Sequence, residues 1–510
     1  MAKNDDKAQY PIIYVRGYAG SQGEVEDTVA TPYMGFNLGS TKLRQAYSGE
    51  LLVNVFESPL IRLMKDYGYV DAYHDGQSRP EGPIAKKSIW IFRYYDVTSK
   101  ELGPGERKEI EYHATALGKF IQHVQKATAA SWPADDPFRV HLVAHSMGGL
   151  VCRSYLQNRQ IPGLDDHTAN TWKDKGVDKL FTYATPHGGI ELRNGIGWAE
   201  GLRDFLDANN AGNFGPERMR EFLDLDKNQQ LNSLAGRFPT ERVFCMVGTD
   251  SKDYSAAAGM ARRAVGPLSD GLVTIENATV GGAARAFTYR SHSGHYGIVN
   301  SESSYANLTR FLFGNIRLDG TLVVEELSLP KKVQNAYEDG KQVRASYHFE
   351  TVVRVRGERW DLHRRLTSEN SAIFRKFDEI FRTSKPRHPR LFSAFLAISK
   401  RTNTKRKSLG FAIDLAVQVP EYRIDREWWP DDYYDGGYLF RDKINFEVSP
   451  SSDGEWKLRY GLDSRTPNRT TTTAARTEHA DGFTFNIPIN SDTVPGMKAK
   501  LHILCTPWNA

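Results

Sequence analysis

From Pro11 to about Gly314 short apolar runs alternate with amphipathic stretches. The runs PIIYVRGY, SIWIFRYYDV, FRVHLVAHS, KLFTYATP, RVFCMVGT and ARAFTYRS read as strands. Between the second and third, KEIEYHATALGKFIQHVQKATA sets Ile110, Ala114, Leu117, Phe120, Ile121 and Val124 at helical spacing, which predicts a surface helix with one buried face. Strands alternating with such helices predict an α/β fold around a mostly parallel sheet. Beyond Leu318 the period shortens to two in TVVRVRG, FAIDLAVQV, KINFEVS, EWKLRYGL, FTFNIPI and KAKLHIL, separated by clusters of Gly, Pro, Asn, Asp and Ser. That change predicts a second, antiparallel, sandwich-like β domain with one helical excursion near 367–383. The expected organisation is therefore a catalytic domain over 10–315 and a β-rich domain over 318–510, with the boundary between Gly314 and Gly320. The polar patch RTPNRTTTTAARTE reads as a solvated loop, and no fixed-period repeat is present.

A length of 510 residues agrees with more than one core, and 40% hydrophobic with 25% charged residues is the balance of a globular chain. The net charge of +5, from 67 basic and 62 acidic residues, produces no field that would grip nucleic acid. Three scattered cysteines, Cys152, Cys245 and Cys505, form neither a disulfide framework nor a metal-ligand spacing. The start MAKNDDKAQY lacks the regions of a secretory signal, and no apolar run reaches the roughly 18 residues of a membrane span. A cytoplasmic protein without cofactor or metal is expected, with signal-independent export left open.

The segment FRVHLVAHSMGGLVCRSYL carries the chemistry. A β-branched apolar run ends at Ala144, and His145, Ser146, Met147, Gly148 and Gly149 lead at once into a helix. A serine at such a corner sits on a strained turn that pushes its hydroxyl out of the sheet, and small neighbours let the chain double back. The helix start offers unpaired N–H groups to a developing oxyanion. The pentapeptide Ala144-x-Ser146-x-Gly148, with alanine for the usual first glycine, resembles the nucleophile elbow of α/β-hydrolase lipases and esterases, in the AHSMGG form of a subset of bacterial lipases. The resemblance covers about residues 10–315 and implies an α/β-hydrolase fold with Ser146 as nucleophile.

In that family the acid and the histidine follow the nucleophile in the chain. Asp270, in the turn of LSDGLVTIENA, is similar to the lipase acid, with Asp250 as its competitor. After the last strand, HSGHYGIVNSESSYANLTRFLFG offers His292 and His295. His295, ahead of Tyr296, Gly297 and Ile298, resembles the His-x-Gly-aliphatic segment of small bacterial lipases and is the favoured base, with His292 second. Arg16-Gly17-Tyr18-Ala19-Gly20 stands where lipases carry His-Gly-x-x-Gly, which implies the backbone N–H groups of Tyr18 and Met147 as the oxyanion hole. The arginine departs from the family pattern, but the donors are backbone groups. Thr185 to Gly189 also resembles a lipase segment, in which His187 is read as structural.

Two amphipathic helices, GWAEGLRDFLDA and ERMREFLDLDKNQQLNSLAGRF, read as a cap inserted over about 190–235, with Trp198, Leu202, Phe205, Phe222 and Leu223 facing either an acyl chain or the core. In the β-rich domain, EWWPDDYYDGGY reads as a folded turn with partly buried aromatics, and the basic stretch from Arg375 to Lys407 as a solvated face that could touch anionic lipid headgroups. The expected activity is carboxylic ester hydrolysis of the lipase or esterase type on ester or lipid substrates, through an acyl-enzyme. Phospholipase action and acyl transfer use the same residues, and a non-catalytic binding protein on a hydrolase fold is the reading from another class.

Overall fold

The computed structural model describes residues 8–17, 22–72, 82–133, 135–164, 171–190, 214–252, 265–294, 297–381, 388–403, 405, 408–425, 431–450, 456–491 and 493–509. The chain forms two compact units, Met1–Leu308 and Thr309–Ala510. The division falls inside the helix Glu302–Phe313, ahead of the Gly314–Gly320 stretch where the pattern changes.

The first unit is built on seven parallel strands. In chain order the strands of the unit are β1 (Ile12–Val15), β2 (Ser40–Gln45), β3 (Leu51–Phe56), β4 (Val70–Asp71), β5 (Ser88–Ile91), β6 (Val140–His145), β7 (Val177–Tyr183), β8 (Val243–Gly248) and β9 (Ala284–Thr288). The sheet order is β4-β5-β1-β6-β7-β8-β9, and β2 and β3 form a separate antiparallel hairpin. All six strands expected in this half are present. β1, β5, β6 and β8 are buried along their whole length. That explains why their sequences read as continuous apolar runs, since a parallel sheet is covered on both faces.

The helices of this unit used below are α1 (Gln22–Val29), α2 (Pro59–Tyr67), α3 (Ile110–Thr128), α4 (Met147–Gln157), α5 (Pro216–Phe222) and α6 (Glu302–Phe313). α3 buries Ile110, Ala114, Leu117, Ile121 and Val124 as its periodicity predicts, while Phe120 is half-buried and His113 and Gly118 join the buried face. Gly118 is needed there because a Cβ would come within 2.8 Å of the Tyr155 ring on α4. Of the expected cap, Trp198, Leu202 and Phe205 lie outside the described residues. The second expected helix is short: α5 ends at Phe222, the chain turns at Asp224 with φ 51°, and the Asp224 carboxylate pairs with Arg159 and Arg237. Phe222 and Leu223 are fully buried, so the apolar face of this helix belongs to the core. No described helix is long and apolar enough to cross a membrane.

The second unit contains two antiparallel sheets. Its strands are β10 (Ile316–Leu327), β11 (Val343–Val355), β12 (His363–Arg365), β13 (Ile373–Lys376), β14 (Arg390–Leu396), β15 (Leu409–Ile424), β16 (Asp432–Pro450), β17 (Trp456–Leu462), β18 (Thr472–Thr473), β19 (Ala475–His479), β20 (Gly482–Asn490) and β21 (Met497–Pro507). One sheet has the order β14-β10-β21-β20-β19 and the other β12-β11-β15-β16-β17-β18, with β13 paired to β11. Each period-two segment contributes most of its residues to a strand. The region near 367–383 differs from expectation: a single 3-10 turn, Thr367–Glu369, and a short helix, Phe377–Phe381, flank strand β13, which pairs with Ser346–Phe349. The tyrosine-rich run differs too, because Tyr433 and Tyr434 sit in the register of β16 against β15, and Tyr433 is exposed. Trp428 and Trp429 lie outside the described residues. The patch read as a loop contributes the short edge strands β18 and β19, both exposed.

Candidate active site

Ser146 occupies the corner between β6 and α4 with φ 53° and ψ −129°, a conformation that L residues avoid and that is held only where the surroundings over-determine it. Those surroundings are explicit. The Ser146 N–H donates to Tyr183 O at 2.9 Å, and Ser146 O accepts from Thr185 Oγ1 at 2.8 Å and from the Gly149 N–H at 3.0 Å. The small residues of the elbow are where backbones touch: a Cβ on Gly148 would lie 2.3 Å from Val15 O and 2.6 Å from Arg16 O, and one on Gly149 would lie 2.1 Å from Thr185 Oγ1. Gly17 is as constrained, since its Cβ would meet Ser146 Cβ at 2.3 Å. The loop after β1 therefore lies directly against the serine, and its carbonyls at Arg16 and Gly17 accept from the hydroxyls of Tyr94 and Tyr95.

A histidine and a carboxylate complete the arrangement. Asp270 is 1% exposed in the turn after β8, where its Oδ1 accepts from the N–H groups of Leu272 at 3.0 Å and Val273 at 2.8 Å. Its Oδ2 stands 2.9 Å from Nδ1 of His292, and Nε2 of the same ring stands 2.9 Å from Ser146 Oγ. The His292 backbone is tied to the same turn by its N–H, which donates to Asp270 O at 2.9 Å. Of the two histidines expected as base, with His295 favoured and His292 second, the imidazole between Ser146 and Asp270 belongs to His292, while His295 lies outside the described residues. The physical reason is that the loop after β9 pairs with the Asp270 turn at residue 292, and that pairing fixes which ring reaches the serine. The Asp250 carboxylate accepts from the Lys252 N–H at 2.9 Å. Of the two expected oxyanion donors, Met147 opens α4, whose first N–H groups have no partner within the helix, and Tyr18 lies outside the described residues.

His145 has a part that spacing alone did not reveal. Its Nε2–H donates to the His292 carbonyl at 2.9 Å, and the two rings lie 5.1 Å apart. Burial, followed by the proximity of His292, holds the His145 imidazole well below its ordinary titration range, so it stays neutral beside the site. The signal was its place inside the elbow, next to the serine. His187 is fully buried and bonds to Thr182 Oγ1 through Nε2 at 3.0 Å, as a structural residue would. Its carbonyl accepts from Arg153, which also donates to Leu231 O and Ser233 O and anchors α4 to the described part of the inserted segment. Arg153 has oxygen acceptors but no carboxylate among these partners, and burial lowers its pKa to about 9.

A parallel sheet of this order with a strained serine between its central strand and the following helix defines the α/β-hydrolase fold, and the first unit has it. The family model described as lecithin:cholesterol acyltransferase matches residues 118–191, which span most of α3, β6, the serine corner, α4 and β7. Among solved structures, the chain is similar to the mature form of a Bacillus licheniformis lipase at 16% identity, covering 61% of this chain and 96% of that one with a TM-score of 0.34. The propeptide form of that lipase matches at 12% identity over 88% of this chain and 96% of its own, again at TM-score 0.34. A phospholipase from Legionella pneumophila matches at 12% identity over 79% of this chain and 85% of its own, at TM-score 0.32. Likenesses this distant carry no chemistry across. No curated protein sequence is significantly similar to the chain.

Proposed function

We propose that the protein hydrolyses carboxylic esters of the lipase or esterase class, with Ser146 as nucleophile, His292 as general base and Asp270 as the group that orients the base. The observation that carries this reading is the continuous chain of 2.9 Å contacts from Asp270 Oδ2 through the His292 ring to Ser146 Oγ. Ser146 Oγ attacks the ester carbonyl carbon as its proton passes to His292 Nε2. Asp270, held by two backbone N–H groups, keeps the ring in the tautomer with Nδ1 protonated and stabilises the imidazolium. The carbonyl oxygen becomes an oxyanion, for which the N–H groups of Met147 and Tyr18 are the proposed donors. Collapse transfers the proton from His292 to the leaving alkoxide and leaves an acyl-serine; water then repeats the sequence and releases the acid.

A lipid ester substrate is supported by the β2–β3 hairpin. Leu43 pairs with Val53 in its register, and Leu43, Leu51, Val53 and Val55 share one face, each well exposed. Such a face suits contact with a lipid surface. Acyl transfer to an alcohol is the second reading, favoured by the family model matched over residues 118–191. Adding an alcohol acceptor to the assay and analysing products separates transfer from hydrolysis.

The test of the central reading is labelling with a fluorophosphonate and hydrolysis of p-nitrophenyl esters of rising chain length by wild type, Ser146→Ala, His292→Ala and His295→Ala. Labelling of wild type, with both readouts lost in Ser146→Ala and turnover lost in His292→Ala, is expected. A wild type that neither labels nor turns over these esters would instead favour a binding protein on a hydrolase fold.

A further inference from the structure

The second unit holds a cavity of about 590 Å³ whose described lining includes eight Lys or Arg residues and a single carboxylate, Glu447. Its floor follows from sheet register. Arg354, Ala412 and Asn445 lie side by side on β11, β15 and β16, and in the next row Gly410 stands beside Glu447, which pairs with Arg459 on β17. Arg356 closes that row: its N–H donates to Gly410 O at 2.9 Å, and its side chain crosses Gly410, 3.5 Å from where a Cβ would stand. In these rows the middle strand thus supplies only Gly410 and Ala412, which leaves a hollow, while β11 on one side and β17, beyond β16, on the other supply guanidinium groups.

Some of the cations around the hollow have carboxylate partners and some do not. Of the lining residues, Arg310 pairs with Glu358 and Arg354 with Asp361 and Asp414, as elsewhere on the unit Arg364 pairs with Glu369 and Asp361, and Arg390 with Asp319. Among the described residues, Arg356, Arg459 and Arg469 have no carboxylate within ion-pair distance, and Lys443 bonds only the Asn468 amide, at 3.2 Å. Glu447 accepts from the hydroxyls of Ser408 and Thr470, so its charge is already engaged. Like charges gathered on neighbouring strands repel, and the missing counter-charge is the observation to be explained.

We propose that this hollow binds an anion bearing two or more phosphoryl groups. Guanidinium forks match the oxygens of a phosphoryl group in two-point hydrogen bonds. Three strand spacings separate the end of β11 from β17, about 14 Å at roughly 4.8 Å each. Arg356, Lys443, Arg459 and Arg469 together carry about twice the charge that one phosphoryl group of about −2 neutralises, whereas an anion with two or more phosphoryl groups spread across the hollow matches it. A free phosphate ester and a lipid headgroup share this chemistry. The proposal is independent of the ester-hydrolase reading, because the cavity lies within the second unit and its test measures binding instead of turnover.

The test titrates the full chain with inorganic pyrophosphate and, separately, with inorganic phosphate in a calorimeter at constant ionic strength. One saturable pyrophosphate site is expected, at least tenfold tighter than phosphate and weakened at least tenfold by Arg459→Ala and by Arg469→Ala, but not by Lys331→Ala, in the helix Lys331–Glu338 outside the lining. Arg469 lies in an exposed loop, so that variant reads the site even if the strand substitution unfolds the unit. Absence of saturable pyrophosphate binding, equal affinity for phosphate, or equal affinity across the variants overturns the proposal. Cosedimentation with phosphatidylcholine vesicles containing a phosphoinositide, displaced by pyrophosphate, identifies a headgroup as the source. Pyrophosphate binding without cosedimentation identifies a free phosphate ester.

Discussion

Replacing Asp270 by Asn changes one atom and tests the tautomer argument directly. In the native turn Oδ1 accepts from the Leu272 and Val273 N–H groups and Oδ2 accepts from His292 Nδ1. An asparagine must present its oxygen to the two backbone donors, because turning the amide around would set its NH2 against both in a buried turn. Its NH2 group then faces His292 Nδ1 and donates to it. The ring proton moves to Nε2, which points an N–H at Ser146 Oγ, and the serine loses its base. Loss of the correct tautomer in a serine triad costs roughly 10⁴ in kcat, about 5.5 kcal/mol of activation free energy. Steady-state hydrolysis of a p-nitrophenyl ester should therefore show kcat down about four orders of magnitude with KM little changed. Circular dichroism and thermal unfolding should show a folded chain, and Asp250→Asn should turn over at near the wild-type rate. A folded Asp270→Asn enzyme within tenfold of wild type would refute the assignment of Asp270.

Three further outcomes follow from the packing and charge described above. Gly148→Ala drives a Cβ into the backbone oxygens of Val15 and Arg16, and should destabilise the chain by about 1–3 kcal/mol; Gly281→Ala, whose Cβ would have nothing nearer than 3.9 Å, should leave the melting temperature unchanged. Burial lowers the pKa of His113 and of His141 from 6.5 to about 4. The unfolded chain therefore takes up protons at these positions first as pH falls, so the stability is complete above pH 6.5 and is lost progressively towards pH 4. The loss is about 3 kcal/mol for each group, and His113→Phe should flatten the pH dependence of thermal unfolding. Finally, Leu51→Glu with Val53→Glu removes two apolar side chains from the exposed hairpin face, each worth about 1.5–3 kcal/mol when fully buried. Turnover of an emulsified long-chain ester should fall at least tenfold, while hydrolysis of a soluble short ester stays constant; equal losses on both would show that the hairpin supports the fold and not the interface.

Contiguous patterns in the sequence determined much of this protein. Six of the seven parallel strands, the buried face of α3 and the serine corner each lie within one stretch of chain, where periodicity and small residues record the local geometry. The histidine beside the serine was harder to read. His292 and His295 are three residues apart in one loop, and the family likeness pointed to His295. The choice is made where the loop after β9 meets the Asp270 turn, a pairing between segments 22 residues apart that no local signal encodes. The shortened helix at Phe222 and strand β13 are similar cases, in which ion pairs at Asp224 and pairing with β11 override helical spacing. The basic hollow is the extreme one. No motif joins Arg356, Arg459 and Arg469 along the chain, and antiparallel register across four strands, with the loop after β17, gathers them around Gly410 and Ala412, because a sheet makes neighbours of residues that the chain keeps far apart.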